Sequence, residues 1–207
     1  MNLRAEFGDI DIYLFDQLLK GNIHHGMTVL DAGCGGGRNL VYLLRHGFDV
    51  CAVDAHPSAV EQVQQLAAEL APQLLTPQLA AQNFQTADIA ALPFADAQFD
   101  LVISSAVLHF ARDATHFAQM LDEMWRVIKP GGMLFARLAS SIGIESLIQP
   151  VGNGWFALPD GSERFLVNEP KLYAATERLH ATLLEPLKTT NVANLRCMTT
   201  WVLGKAV

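Results

Sequence analysis

Apolar residues run along this chain in two rhythms. Short runs with little interruption occur at Val29–Leu30, Phe48–Val53, Phe99–Ser104 and Met133–Leu138, as expected of strands covered on both faces. Between them the spacing is helical. Leu40, Val41, Leu43 and Leu44 fall on one face, and Phe117, Met120, Leu121, Met124 and Trp125 follow i, i+3, i+4, i+7, i+8 in a predicted helix from Asp113 to Ile128. An earlier set, Ile10, Tyr13, Leu14 and Leu18, predicts a leading helix that stops at Gly21, with Asp9 and Asp11 as its cap and solvated first turn. Ser58-Ala-Val-Glu61 reads as a capping box for a helix to about Leu70. An irregular connector between Pro72 and Pro77 leads to a short strand at Phe84–Ala87. Strand and helix alternating in this way predict a doubly wound α/β sheet with helices on both faces.

The chain is less regular after Ala139. Pro159-Asp-Gly161, set between Trp155-Phe-Ala-Leu158 and Phe165-Leu-Val167, predicts a hairpin. A helix from Glu169-Pro170 to about Ala181 follows, then strands at Leu183–Val192 and Cys197–Gly204. That makes seven strands.

The connection after the first strand carries the chemistry. Asp31-Ala-Gly-Cys-Gly-Gly-Gly37 turns a strand into a helix over glycines, which lets backbone N–H groups approach a ligand closely. A dinucleotide fingerprint would need glycine where Arg38 stands, and no Gly-Lys-Ser/Thr ends the turn as in a phosphate loop. Asp54 ends the second strand about twenty positions beyond the first glycine, where ribose sites place a carboxylate. The alternative is that Asp54 caps the following helix.

Asp31-x-Gly-x-Gly-x-Gly37 resembles the first motif of the class I S-adenosylmethionine (SAM) methyltransferases. Three other stretches agree with that resemblance: Asp88-Ile89 before Leu92-Pro-Phe94, the fourth-strand turn Ser104-Ser-Ala-Val-Leu-His-Phe110, and Arg126-Val-Ile-Lys-Pro-Gly-Gly132. The terminal strand pair resembles the sheet order of the same family, whose sheet is mostly parallel with an antiparallel last strand. The resemblance implies that Asp31 lies near the methionine amino group. Gly33, Cys34, Gly35, Gly37 and Arg38 would pass beneath the ribose and amino-acid portion, and Asp54 with Ala55 would meet the ribose. Asp88 and Ile89 would meet the adenine, and Ser104 and Ser105 the methionine side. Tyr13, with Phe15, would cover the cofactor from the leading helix. His109 is the titratable side chain the resemblance brings nearest the chemistry, as a candidate general base. An insertion at residues 141–168 commonly roofs the acceptor in such enzymes, which makes Trp155 and Phe156 candidate substrate contacts.

Composition narrows the partners. Among 207 residues 51% are hydrophobic and 17% charged, and the net charge is −7 with no basic cluster. Tight binding to nucleic acid or an anionic membrane surface is disfavoured, because phosphate contacts dominate such affinity. Cys34, Cys51 and Cys197 have no CxxC spacing and read as small reduced residues of a cytoplasmic protein. No signal peptide or bilayer-spanning segment is seen, and no Asp/His cluster has the spacing of metal ligands.

The reading is therefore one domain over residues 1–207, with a helical cover (1–28), a SAM-binding core (29–140), a lid (141–168) and a C-terminal helix and strand pair (169–207). The resemblance implies methyl transfer from SAM to a small-molecule acceptor, leaving S-adenosylhomocysteine, by a monomer or homodimer. An acidic surface with an aromatic lid hints at a neutral or cationic acceptor. Two alternatives remain: a SAM-binding protein without catalysis, whose acceptor pocket would be closed or lack polar groups, and a nicotinamide-dependent Rossmann oxidoreductase.

Overall fold

The strand before the glycine turn, β1 (Thr28–Ala32), has a parallel neighbour on each edge and a packed apolar layer on each face, so it is buried all round. One neighbour is β2 (Asp49–Asp54), which pairs in turn with β3 (Phe84–Thr86). The other is β4 (Phe99–Ser105), followed by β5 (Ile128–Ser140). The computed structural model that gives this arrangement describes residues 2–72 and 76–207. The middle of the expected Pro72–Pro77 connector lies outside the described residues.

Beyond β5 the sheet turns antiparallel. β11 (Arg196–Lys205) pairs with β5 along most of its length, and β10 (Lys188–Val192) adds the edge. The order is β10-β11-β5-β4-β1-β2-β3, with short β9 (Ala181–Leu183) also on β11 as an eighth strand. The single predicted strand at Leu183–Val192 is thus two. The end of the predicted helix before it belongs to β9, because α7 (Glu169–Arg178) stops earlier.

Side chains alternate between two cores, as the strand period of two requires. Leu30, Val102, Leu134 and Trp201 point to a layer built on α6 (Ala114–Val127) and α7. Val29, Leu101, Ile103 and Phe135 point to the opposite layer, with α2 (Ile12–Leu19, preceded by the short α1, Leu3–Phe7), α3 (Val41–Arg45) and α4 (Pro57–Leu70). The five predicted apolar positions of α6 are all buried, and Asp113 caps it by accepting from the His116 N–H at 2.8 Å.

Local chemistry differs from expectation in three places. The capping box does not form: Pro57 opens α4, the preceding His56 makes no side-chain cap, and Ser58 is already helical. Lys129-Pro-Gly-Gly132 does not precede β5 but lies within it, where the pairing slips between Phe99 and Leu101 of β4. The connector before β3 ends in a short helix, α5 (Pro77–Asn83), capped by Thr76. The 141–168 segment holds a small sheet, β6 (Gln149–Gly152), β7 (Trp155–Ala157) and β8 (Glu163–Phe165), whose β7–β8 hairpin lies where the Pro-Asp-Gly turn predicted it.

Candidate active site

A cavity of about 540 Å³ opens at the carboxyl ends of β1, β2 and β4, where open α/β sheets bind ligands. Gly33 and Cys34 form its floor, their N–H groups both donating to the Val53 carbonyl at 2.8 and 3.0 Å. Gly33 has φ +87°, and a Cβ there would sit 2.5 Å from the Val107 side chain, so only glycine fits. Cys34 lines the cavity with its thiol pushed upward by burial, which suits a small inert residue rather than a nucleophile.

Carboxylates ring this floor. Asp54 faces the cavity and accepts from the Gly35 N–H and the His56 N–H, each at 2.9 Å. One carboxylate thus holds both neighbouring turns, so the helix-cap reading and the ligand reading describe a single geometry. Asp31 lies behind the glycines and is 1% exposed, and both its oxygens lack a hydrogen-bond partner among the described residues. Burial pushes its carboxyl up to about 7; the Arg38 charge opposes that rise and the Asp54 charge adds to it. Asp88 stands at the far wall, holding the Ala90 N–H, with Ile89 and Ala55 beside it.

Arg38, which stands in the place of the dinucleotide glycine, also lines the cavity. It donates to the Ser105 hydroxyl at 2.8 Å and lies 3.5 Å from the Asp11 carboxylate. Asp11 caps α2 as expected, but it is not solvated. Its carboxylate is fully buried and also accepts from Ser105 Oγ at 3.2 Å and Arg137 at 2.9 Å. Breaking one partner of such a buried group typically costs about 3–5 kcal/mol.

Several lining residues carried no sequence signal. His116 Nδ1 accepts from the Arg112 N–H, which leaves Nε2 as the donor; it is buried, lacks a hydrogen-bond partner among the described residues and lies 3.9 Å from Asp88. Met120 and Phe110 are apolar walls, and Asn39 receives the Asp11 N–H. In the sequence His116 and Met120 look like ordinary helix positions, because only the placement of α6 turns them toward the cavity.

A second cavity of about 300 Å³ adjoins the first, with Ala106 lining both. Ala106 is held at φ +65°, its N–H donating to the Arg137 carbonyl at 2.7 Å. His109 lines this second cavity, not the first. Its Nδ1 accepts from the Ala139 N–H at 3.2 Å, and burial, aided by the Arg164 charge, lowers its pKa to about 4. The ring is therefore neutral near pH 7, with its hydrogen on Nε2.

Five expected side chains lie elsewhere, among them Phe15, which packs edge-on against Phe7. Tyr13 lines neither cavity; its hydroxyl bonds Thr190 at 2.8 Å and its ring lies under Arg137. Ser104 is fully buried in β4 and faces neither cavity. Trp155 and Phe156 also miss both cavities. The Trp155 indole donates to the Ala111 carbonyl at 2.9 Å, pinning the hairpin, and Phe156 packs with Ile144 and Leu166. The same hairpin does reach the second cavity, through Leu158, Asp160, Ser162 and Arg164.

The family model described as "Methyltransferase domain" matches residues 30–136, from within β1 to within β5. This chain belongs to that methyltransferase family. A malonyl-acyl-carrier-protein O-methyltransferase from Pseudescherichia vulneris is 39% identical over 114 residues; the match covers 55% of this chain and only 39% of that enzyme's length. A SAM-dependent methyltransferase from Methanosarcina mazei shares the fold with a TM-score of 0.71 at 19% identity, over 92% of this chain and 97% of that one. So does the 1,6-didemethyltoxoflavin-N1-methyltransferase of Burkholderia thailandensis, solved with 1,6-didemethyltoxoflavin and S-adenosylhomocysteine. Its TM-score is 0.68 at 17% identity, over 100% of this chain and 82% of that one. The methyltransferase match ends before the hairpin, so the walls of the second cavity beyond β5 belong to the less shared part of the chain.

Proposed function

We propose that this chain binds S-adenosylmethionine in the first cavity and transfers its methyl group to a small molecule in the second. The observation that carries the reading is Asp31. A carboxylate buried without a partner costs several kcal/mol unless a cationic donor meets it, and the methionine ammonium of SAM is such a donor. Asp54 offers its remaining lone pairs to two ribose hydroxyls, and the absence of a Cβ at Gly33 lets the chain turn beneath them. Asp88 as acceptor and His116 Nε2–H as donor suit the adenine edge, between Ile89 and Met120.

When bound, SAM supplies a methyl on a sulfonium, which an acceptor lone pair displaces in line, leaving S-adenosylhomocysteine. The protein's contribution is alignment and exclusion of water. His109, neutral and with Nδ1 occupied, serves as a donor through Nε2–H that orients the acceptor, rather than as the expected base. A rate limb titrating near pH 6.5 and lost in His109→Gln would restore the base. The second cavity is open and carries polar groups, which favours catalysis over a binding-only role.

Among the described residues no helix is long and apolar enough to cross a membrane. A cytoplasmic location is supported by the three cysteines, all buried and outside any disulfide. The deciding experiment is calorimetric titration with S-adenosylhomocysteine and, separately, NADH. Micromolar binding of the first alone is expected; binding of NADH alone, or of neither by folded protein stripped of ligand, overturns the reading.

A further inference from the structure

The second cavity carries a charge pattern that the acidic composition hides. Arg137, Arg164 and Arg196 all line it, against a single lining carboxylate, Asp160. That carboxylate is weakly committed to the arginines. Its nearer oxygen lies 3.7 Å from Arg196, while the other accepts from the Ser162 N–H and hydroxyl. Arg137 leans on Asp11, but Asp11 is shared with Arg38, and the Arg137 Nε is buried without a partner among the described residues. Arg164 forms no ion pair among the described residues. It donates to the Glu163 carbonyl and lies over the Phe110 ring, 5.2 Å from its centre.

Phe110 lines the first cavity, so Arg164 stands at the seam between donor and acceptor. His109 beside it is neutral and adds an N–H donor without an opposing charge. The remaining wall is apolar: Ala139, Leu158, Val192 and Met198. A cationic acceptor would meet like charges here, and a neutral one would leave three guanidinium groups facing one carboxylate in a half-enclosed space.

We propose that the acceptor is a small organic acid whose carboxylate is held by Arg164 and Arg196 beneath the 141–168 hairpin. This rests on the SAM reading of the adjoining cavity and reverses the expectation of a neutral or cationic acceptor drawn from overall charge. A planar guanidinium matches a carboxylate with two parallel bonds, and about 300 Å³ suits a small acid with an apolar body.

The test is calorimetry on the full chain saturated with S-adenosylhomocysteine, at physiological salt. Benzoate and malonate are titrated beside benzamide, malonamide and benzylamine. At least one acid binds about tenfold tighter than its amide, and benzylamine does not bind. Arg164→Met weakens that acid by about tenfold and Arg196→Met by less, while Arg164→Lys recovers part of the loss. S-adenosylhomocysteine affinity and the melting midpoint of these variants stay at wild-type values, which excludes misfolding.

Amide or amine binding equal to or tighter than acid binding overturns the proposal, as does acid binding unmoved by Arg164→Met, or no acid binding at all. The S-adenosylhomocysteine titration, run first on the same samples, separates the two readings. Its failure sinks the first-cavity assignment, whereas its success with acids rejected sinks only the carboxylate.

Discussion

The two cavities lie side by side but are built in opposite ways. The first is made from ends of consecutive parallel strands: Gly33 to Arg38 after β1, Asp54 to His56 after β2, Asp88 and Ile89 after β3, and Ser105 to Val107 after β4. Asp54, Asp88 and His116 there each bond a backbone N–H within four residues, although Arg38 and Ser105 are tied to distant partners. The second draws Arg137 from the middle of the sheet, Arg164 from the hairpin and Arg196 from the start of β11. A donor site can be fixed by local geometry, while an acceptor site takes its character from whichever distant segments happen to meet. The cofactor is accordingly readable from short motifs, and the acceptor is not.

Substitutions can break that contrast, beginning where the effect should be greatest. Gly33→Ala forces a left-handed residue and drives a Cβ into Val107; S-adenosylhomocysteine affinity should fall about a hundredfold and the melting midpoint should drop. Normal binding by that variant would show that the floor is not set by backbone alone. Asp54→Ala should weaken the same ligand by more than about tenfold, since bonds to a charged group are each worth about 1.5–3 kcal/mol. Unchanged affinity would remove Asp54 from the ribose site.

Asp31→Asn should cost about tenfold in affinity at pH 8, with an informative side effect on the unliganded protein. Because its folded pKa is raised to about 7, native Asp31 holds a proton that the unfolded chain has released between about pH 4 and 7. Stability is therefore lost as pH rises through that window. The asparagine variant escapes the loss, and its midpoint should exceed wild type by at least ~2 °C at pH 8 and match it near pH 4. Wild-type affinity for S-adenosylhomocysteine should strengthen from pH 6 to 8, as Asp31 ionises to meet the ammonium. The smallest effect belongs to the acceptor side. Trp155→Phe removes the indole N–H shared by the Ala111 and Arg112 carbonyls, costs about 1 kcal/mol, and should weaken acid binding without touching S-adenosylhomocysteine.

The same division explains what could be read before the structure. The core strands and the α6 face are legible in the sequence because each rests on periodicity within a single element, whereas the antiparallel last strand is implied only by the family resemblance. Gly33, Asp54 and Asp88 stand out in the sequence because a turn's chemistry lies in adjacent residues, and the fold brings all three to the first cavity, with Asp31 buried behind them. The solvated reading of Asp11 failed because its partners, Arg38, Ser105 and Arg137, stand 27 or more positions away in the chain. Trp155 and Phe156 are expected at the acceptor because the insertion that holds them commonly roofs it in the family. Packing assigned them to the hairpin's own footing and gave the cavity to its polar tip. Net charge misled for a related reason: a sum over the whole surface says nothing about the sign inside a recess lined by three arginines.

Ala106 sets the terms on which the two spaces communicate. It is the residue common to both linings, and its side chain is a single methyl on a backbone already held in a left-handed turn. If methyl transfer joins the two spaces as proposed, a molecule reaching across from the arginine-lined side passes this methyl. Compounds whose reactive atom sits at the tip of a slender arm are then expected to react ahead of those that carry it on a broad flank, whatever their charge.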